Sequence, residues 1–237
     1  MPRYPRSWTL EKDLAFHKVW RGHNREWNLG SVDEKQKYLN LLGEEQQRIC
    51  EKSNPLHAIC IMSNHAHELY TLEHLTTFSN FMRQHHGRYG RFFNNKHKRQ
   101  GKVAQDRPKT SAIENDYHEM MVTFYIHANP IRAKICKNAS NYSWSTHMLY
   151  AFGKRAKWMK DIRIQFPNWY LNLGNTWKER QIKYRKAFDS YLKEYGLQKK
   201  HFCVFGIGSY QWLFDRKKNF RSIWKDRQTI KITSPPE

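Results

Sequence analysis

Two histidines separated by a single residue could bind a metal ion together. His65 and His67 follow an apolar run, residues 56–62, and a Ser-Asn turn signal, so they begin a second extended segment. Successive side chains of a strand alternate between its faces, which puts both imidazoles on one face. The pair would then supply two ligands of a rigid metal site. The alternative is a pair of partly exposed strand histidines, which can arise by chance in a chain with 13 histidines.

A tyrosine and an asparagine four residues apart could act together at the end of a helix. Residues 116–130 have the pattern of a helix that Pro130 closes, because the residue before a proline avoids the α conformation. Tyr125 and Asn129 then share one helix face and offer a hydroxyl and an amide oxygen together. The alternative is a core-facing tyrosine and an asparagine that caps the C-terminus of the helix.

These two segments, in this order, resemble the single-tyrosine HUH transposases of insertion sequences, in particular the REP-associated tyrosine transposases. Two further stretches, His17 to Arg25 and Tyr142 to Ser145, match motifs of that family. The resemblance extends over roughly residues 8–153, and residues 171–213 are similar to the C-terminal extension of the family.

The resemblance implies a metal-dependent enzyme that cleaves and rejoins single-stranded DNA. His65, His67 and Asn129 would bind a divalent ion, Mg²⁺ or Mn²⁺, although such a nitrogen and oxygen set would also accept Zn²⁺. Tyr125 would attack the phosphodiester and form a 5′-phosphotyrosine, so rejoining would need no ATP. Tyr117, two helical turns earlier, is the rival nucleophile, but a methionine rather than an asparagine follows it by four residues.

The order of elements and the resemblance predict the same α+β fold. A β-α-β-β-α-β order, followed by the tyrosine helix, is ferredoxin-like, with an antiparallel sheet and packed helices, as in HUH endonucleases. A capping box at residues 31–34 begins the first long helix, and we expect the last strand at residues 102–105. We predict an HUH single-tyrosine nuclease domain at residues 1–153 and a basic, mostly helical C-terminal extension at residues 154–237.

The strong positive charge of the chain indicates a polyanionic partner. There are 42 Lys and Arg against 21 Asp and Glu, a formal charge of +21. Residues 83–109 hold nine of these cations and one Asp, and we expect them to hold a DNA hairpin beside the histidine pair, a solvated face being the alternative. The predicted DNA contacts are Arg83, Arg88, Arg91, Lys98, Arg99, Lys102, Arg107 and Lys109. For the family, the target would be single-stranded DNA with palindromic, REP-like hairpins.

Several other classes of protein do not fit the sequence. The four cysteines form no Cys-x-x-Cys pair, so neither a zinc ribbon nor a dense disulfide framework is indicated. The sequence has no signal-peptide pattern and no apolar run long enough for a membrane span. We therefore expect a cytoplasmic, nucleoid-associated bacterial protein, and a monomer rather than a dimer.

The chain departs from the family pattern at three positions. Glu68 follows the histidine pair where an aliphatic residue is usual, and we expect it either to join the metal ligands or to face solvent. Ala104 and Pro108 stand where family members tend to have aromatic residues. The rival function is a domesticated, non-catalytic DNA- or RNA-binding protein with the same fold.

Overall fold

The computed structural model describes residues 4–194 and 205–233, except for the side chains of residues 223–233. Its strands are β1 (Ala15–Arg21), β2 (Leu56–Ile61), β3 (His65–Thr71) and β4 (Lys109–Ala112). The helices of this part of the chain are α1 (Arg6–Thr9), α2 (Val32–Glu45), α3 (Leu75–Lys96), α4 (Asp116–Arg132), α5 (His147–Phe152), α6 (Asn168–Leu171), α7 (Trp177–Glu194) and α8 (Tyr210–Thr233). Among them, no helix has the combination of length and apolar character that a membrane span needs.

The four strands form one antiparallel sheet in the order β2-β3-β1-β4. The α2 crossover joins β1 to β2 with β3 between them, which is the split arrangement of ferredoxin-like folds. The α+β class and the ferredoxin-like sheet are therefore confirmed. The β1–β3 register sets Val19 opposite His67 and Arg21 opposite His65. Cross-strand partners point to the same face, so this register decides what lies beside the histidines.

Helices α2 and α3 cover the face of the sheet that turns away from the histidine pair. Phe16 and Trp20 of β1 and Tyr70 of β3 are fully buried there. Their rings contact Tyr38 of α2 and Phe78 of α3, with centroids 4.8 to 5.5 Å apart. These aromatic contacts form the main hydrophobic core. The apolar side of each amphipathic helix thus fixes it to this face.

A charged pair is buried inside that core. Lys18 and Glu68 lie directly opposite each other across β1 and β3, and neither is exposed to solvent. The Glu68 carboxylate accepts hydrogen bonds from the Lys18 ammonium at 2.6 Å and from the hydroxyls of Tyr38 and Tyr70 at 2.6 and 2.5 Å. The expectation that Glu68 binds metal or faces solvent is wrong. It follows His67 in a strand, so it points to the opposite face.

Helix α4 packs on the other face of the sheet, the face of the histidine pair. Val122 and Ile126 of α4 join Leu69 of β3 in a buried cluster that also includes Cys60 of β2. The helix begins at Asp116, where the Asn115 side chain accepts a hydrogen bond from the backbone N–H of His118. The sequence-predicted helix therefore lies where Tyr125 can meet the histidines.

The described part of the C-terminal extension packs against the outer side of α4. Tyr184, Phe188 and Tyr191 of α7 are buried around Phe124 of α4. Ile207, just before α8, forms a short parallel bridge with Ile113 next to β4. The extension is mostly helical as expected, although residues 195–204 and 234–237 lie outside the described residues. The division of the chain at residue 153 stays a prediction.

The last strand lies further along the chain than the sequence indicated. β4 spans Lys109–Ala112, whereas the predicted strand at residues 102–105 is a loop in which Ala104 makes one isolated bridge with Gly22. The residues of β4 carry little apolar signal, so its position is decided by pairing with the edge of β1. Pro108 precedes it, at a place where a missing N–H costs no ladder hydrogen bond.

Helix α4 does not end at Pro130, as the sequence suggested, but continues to Arg132. A proline cannot donate to the carbonyl four residues earlier, which is that of Ile126. The Asn129 side chain compensates, because its Nδ2 donates to the carbonyl of Tyr125 at 2.9 Å and lies 3.5 Å from that of Ile126. The helix therefore continues past Pro130 and includes Arg132 as its last residue.

The buried carboxyl group of Glu119 makes the stability of this fold depend on pH. Burial, with a smaller effect of Asp116, raises the pKa of Glu119 from 4.5 to about 8. Its Oε1 has no hydrogen-bond partner among the described residues and lies 4.0 Å from Nε2 of His57. That ring nitrogen is already bonded to the Thr71 hydroxyl at 2.8 Å. The protonated carboxyl is therefore the form that suits the folded chain.

We predict that Glu119→Gln removes a loss of stability at high pH. A raised pKa in the folded state means that the stabilising effect of protonation is complete below the unfolded pKa and is lost as pH rises through about 8. The wild-type unfolding free energy should fall by a few kcal/mol, on the order of 4, between about pH 4.5 and pH 8 relative to the variant. Urea unfolding across this range measures the difference. The exposed Glu179→Gln is the control, and parallel curves for wild type and Glu119→Gln would contradict the prediction.

Candidate active site

The two histidines of β3 lie side by side on the face of the sheet that α4 covers. The ring centroids of His65 and His67 are 4.7 Å apart and the rings are nearly perpendicular, at 84°. His67 is 3% exposed, whereas His65, at the start of the strand, is half-buried. The alternation of the strand therefore brings both imidazoles together at one end of β3.

Each imidazole is held by a hydrogen bond at its Nδ1 atom. Nδ1 of His65 lies 2.6 Å from Oδ1 of Asn64, and Nδ1 of His67 lies 2.9 Å from Nε2 of His17. In both rings Nδ1 is engaged, so Nε2 is the nitrogen that has no hydrogen bond among the described residues. Sequence reasoning did not select His17 as a site residue. The alternation of β1, which puts His17, Val19 and Arg21 on one face, is the signal that could have found it.

The three imidazoles are neutral at pH 7. Burial, together with the charge of Arg21, lowers the pKa of His65 to about 4. Burial, followed by the neighbouring histidines, lowers the pKa of His67 well below its usual value. Burial and His65 lower the pKa of His17 to about 3, against a smaller opposing effect of Glu68. Neutral imidazole is the form in which histidine binds metal ions.

Tyr125 of α4 lies against this histidine cluster. Its ring centroid is 5.6 Å from that of His67 and 6.0 Å from that of His17, with edge-on geometry in both cases. Tyr117, the rival nucleophile, is 54% exposed and its ring contacts His118. The structure thus brings Tyr125, and not Tyr117, to the histidine pair.

Two arginines place positive charge around the Tyr125 phenol. The guanidinium of Arg132 lies 4.3 Å from the centre of the Tyr125 ring and is hydrogen-bonded to its side chain. Burial raises the pKa of Tyr125, while Arg132 and then Arg21 oppose this rise. Both arginines were missed as site residues. Their spacing could have found them, because Arg132 follows Tyr125 by two helical turns and Arg21 shares a strand face with His17.

Asn129 does not cap the end of α4, because it lies three residues before Arg132, the last residue of the helix. Its side chain is bonded through Nδ2 to backbone carbonyls of its own helix, and it is 9% exposed. Among the described residues it makes no hydrogen bond to His65 or His67. Those contacts leave Oδ1 of Asn129 as its atom that could bind a metal ion. The backbone contacts thus fix the amide without using its oxygen.

The predicted metal site combines the asparagine with the two histidines. Within residues 4–194 and 205–233, no three His, Cys, Asp or Glu side chains are gathered as ligands for one ion. The predicted set would offer Nε2 of His65, Nε2 of His67 and Oδ1 of Asn129, all neutral. Such a mixed nitrogen and oxygen set suits Mn²⁺ and accepts Mg²⁺ or Zn²⁺.

The basic residues of α3 lie on the opposite side of the sheet from the histidines. Arg83 and Arg91 are exposed there, and Arg88 forms ion pairs of 2.6 Å with both Glu44 and Glu45. The expectation that all of residues 83–109 lies beside the histidine pair is wrong for this part. The apolar stripe of α3 packs on the face that carries Phe16 and Tyr70, so its basic side turns away.

The residues after α3 come closer to the site. The loop runs along β1, with the backbone N–H of Gln105 bonded to the Arg21 carbonyl at 3.0 Å. Lys109 lies opposite Val19, which lies opposite His67, so the three side chains form a row on one face. The remaining predicted DNA contacts differ in their partners: Arg99 pairs with Glu26 and Arg107 donates to the Tyr4 carbonyl, whereas Lys98, Lys102 and Lys109 are exposed.

We predict that Arg132→Gln raises the pKa of Tyr125 further. The neutral amide removes the largest effect that opposes burial, so the phenolate loses its nearest positive charge. Arg21→Gln should produce a smaller rise, and Arg83→Gln on the far side of the sheet should produce none. Carbon-13 NMR of ring-labelled tyrosine, assigned with Tyr125→Phe, measures the pKa. An unchanged or lower value in Arg132→Gln would contradict the assignment.

Comparison with known proteins gives a likeness to solved structures. No family model matches the sequence, and no curated protein matches it. Two solved chains match in structure. One is described as the REP-associated tyrosine transposase bound to a REP hairpin, with 19% sequence identity and a TM-score of 0.49 over 65% of this chain and 87% of that chain. The fold assignment of the present chain rests on its own sheet order and register.

Proposed function

We propose that this chain is a metal-dependent, single-stranded DNA endonuclease and strand transferase that acts through a 5′-phosphotyrosine. One observation carries the proposal. The Tyr125 ring lies edge-on to His67, which has His65 as its neighbour, and Arg132 is hydrogen-bonded to the Tyr125 side chain. These groups come from one strand and one helix that are distant in sequence. Their meeting at one place is what a nucleophile and its phosphate-binding partners require.

The chemistry needs a hydroxyl that can exchange one ester for another. The Tyr125 oxygen forms a bond to phosphorus while the bond from phosphorus to the 3′-oxygen breaks. The phenol loses one proton and the leaving 3′-oxygen gains one, so atoms and charge balance without a further reactant. A later attack by another 3′-hydroxyl reverses the same steps and rejoins the strand.

The positive charges around Tyr125 suit this exchange. A phosphodiester is anionic, and the raised pKa of Tyr125 keeps the phenol protonated at neutral pH. Arg132 and Arg21 would bind the phosphate oxygens and stabilise the phenolate character that develops during attack. An arginine can make two parallel hydrogen bonds to a phosphate, which also fixes the direction of approach.

His65, His67 and Asn129 would hold the divalent ion through the three neutral donor atoms described above. Because these ligands carry no charge, a bound ion keeps its full positive charge and supplies Lewis acidity to the phosphate. The hydrogen bonds at Nδ1 of both histidines hold the rings in the orientation that binding needs. Asn129 is held by its own helix.

The proposed substrate is a single strand next to a palindromic, REP-like hairpin. Tyr125 is half-buried, so the strand must bend toward it, which the fixed phosphate geometry of a duplex prevents. The exposed Lys102 and Lys109 would contact phosphates of the adjoining hairpin. The sequence resemblance to the REP-associated tyrosine transposases supports this class of target.

We predict that Tyr125→Phe abolishes covalent protein–DNA adducts and leaves DNA affinity near the wild-type value. The nucleophile needs its hydroxyl, whereas affinity comes mainly from contacts between cations and phosphates. The measurement uses a labelled oligonucleotide with a REP-like hairpin, Mn²⁺ and denaturing electrophoresis. Tyr117→Phe is the matched control and should form adducts normally. An adduct that survives in Tyr125→Phe and disappears in Tyr117→Phe would reverse the assignment.

The same assay tests the metal ligands. Chelation of the ion should remove the adducts, and added Mn²⁺ should restore them. His65→Ala and His67→Ala should abolish cleavage and weaken Mn²⁺ binding, with a milder effect of Asn129→Ala on ion affinity. Tight DNA binding by the wild-type chain, with no adduct under any metal condition, would favour the non-catalytic DNA- or RNA-binding function.

A further prediction follows from the two locations of the basic residues. Replacing both Lys102 and Lys109 with glutamine should reduce the slope of log affinity against log salt by about 2, roughly one per phosphate contact. Replacing Arg83 and Arg91 removes the same charge from the far side of the sheet and should change the slope less. Salt titrations on a hairpin and on a linear oligonucleotide make the comparison, and the hairpin should lose more affinity. Equal changes of the slope in both double variants would mean that the location of the positive charge does not matter.

A further inference from the structure

His17 and His67 are joined by a hydrogen bond that neither strand geometry nor core packing requires. His17 lies in β1 opposite Leu69, so it is the diagonal neighbour of His67 on the same face. Nε2 of His17 is 2.9 Å from Nδ1 of His67, and both residues are 3% exposed. Little water reaches this pair, so each of these two nitrogens has the other as its hydrogen-bond partner.

The two rings are nearly parallel and meet through their nearest nitrogens. Their planes differ by 7°, and their centroids are 5.0 Å apart, close to the 2.9 Å contact plus the two ring radii. The N–H and the lone pair of an imidazole both lie in its ring plane. The contact therefore has the direction of a true hydrogen bond, with one nitrogen donating and the other accepting.

This hydrogen bond allows two arrangements of protons, and they have opposite consequences for His67. If His17 donates from Nε2, Nδ1 of His67 accepts, and neutral His67 carries its proton on Nε2. If His67 donates from Nδ1, its Nε2 holds a lone pair toward the site. Only the second arrangement lets Nε2 of His67 bind a metal ion.

The neighbouring His65 shows the same arrangement with a partner whose role is fixed. Nδ2 of Asn64 donates to the Arg25 carbonyl at 3.3 Å, which leaves Oδ1 of Asn64 as the acceptor toward Nδ1 of His65. His65 must therefore donate from Nδ1 and present the lone pair of Nε2. For His67 to present the lone pair of its Nε2 as His65 does, its Nδ1 must donate to an acceptor. The atom in contact with Nδ1 of His67 is Nε2 of His17.

We propose that His17 is a positioning residue that accepts a hydrogen bond from Nδ1 of His67, fixing its tautomer and ring orientation. The metal-binding consequence rests on the proposed function, whereas the tautomer is a property of the metal-free chain. Partners of this kind commonly change metal affinity by 10- to 100-fold when they are removed. His17 would act through His67 without touching the ion or the DNA.

The first measurement is nitrogen-15 NMR of the imidazoles in the metal-free wild-type chain. We expect the proton of His67 on Nδ1 and that of His17 also on Nδ1, since Nε2 of His17 accepts. A His67 proton on Nε2 would overturn the proposal directly. This result does not depend on any variant folding.

The second measurement compares two substitutions of His17. His17→Phe keeps a ring of similar shape but has no acceptor, whereas His17→Gln places an amide oxygen close to the position of Nε2. We expect His17→Phe to lose the single tautomer of His67 and to bind Mn²⁺ about 10- to 100-fold more weakly in calorimetry. His17→Gln should restore most of both properties. Circular dichroism and urea midpoints test that both variants are folded.

The outcomes separate this inference from the proposed function. Wild-type affinity and a single Nδ1–H tautomer in a folded His17→Phe would overturn the positioning role. If the wild-type chain binds no Mn²⁺, and His67→Ala changes nothing, the metal-dependent function fails instead. In that case the tautomer of His67 in wild type, His17→Phe and His17→Gln still decides the role of His17.

Discussion

The antiparallel register of β1 against β3 determines what lies on each face of the sheet. It sets Lys18 opposite Glu68 on the face that α2 and α3 cover, and it sets the next pair, Val19 and His67, on the face that α4 covers. If β1 slipped by one residue against β3, its side chains would change faces, so Lys18 would point to the side of the histidines. Glu68 would then stay buried on the other face without its cation. Leaving one buried charge without its partner typically costs about 3–5 kcal/mol, so the pair on one face specifies the register that the other face needs.

The site depends on this register because its groups come from three separate elements. β1 contributes His17 and Arg21, β3 contributes the two imidazoles, and α4 contributes Tyr125 with Arg132. The opposite face holds α2 and α3, and some cations of α3 form ion pairs with neighbouring acidic side chains, as Arg88 does with Glu44 and Glu45. The cationic side chains thus serve two purposes. Some form structural ion pairs, and others lie near the Tyr125 phenol. Composition alone does not distinguish these two uses of charge.

Local patterns predicted the parts of the fold that local physics decides. The capping box at residues 31–34 is present, with the Ser31 N–H bonded to Glu34 at 2.9 Å, and strand alternation predicted the shared face of the histidines. Features that depend on distant contacts were not predictable. β4 is chosen by an open edge of β1, and Glu68 is held by Lys18 of β1 and Tyr38 of α2. The partners of His67 likewise depend on which strand lies beside β3.

Because α4 continues past Pro130, the Asn129 side chain has two roles. Its Nδ2 bonds to the helix backbone, and its Oδ1 is the oxygen that the proposed ion would take. Arg132 reaches the Tyr125 ring because the helix continues beyond the proline. Aspartate at position 129 would keep the oxygen but lose the donor, and alanine would lose both. Substitution at position 129 would therefore alter the end of the helix and the proposed ion site together, because one side chain serves both.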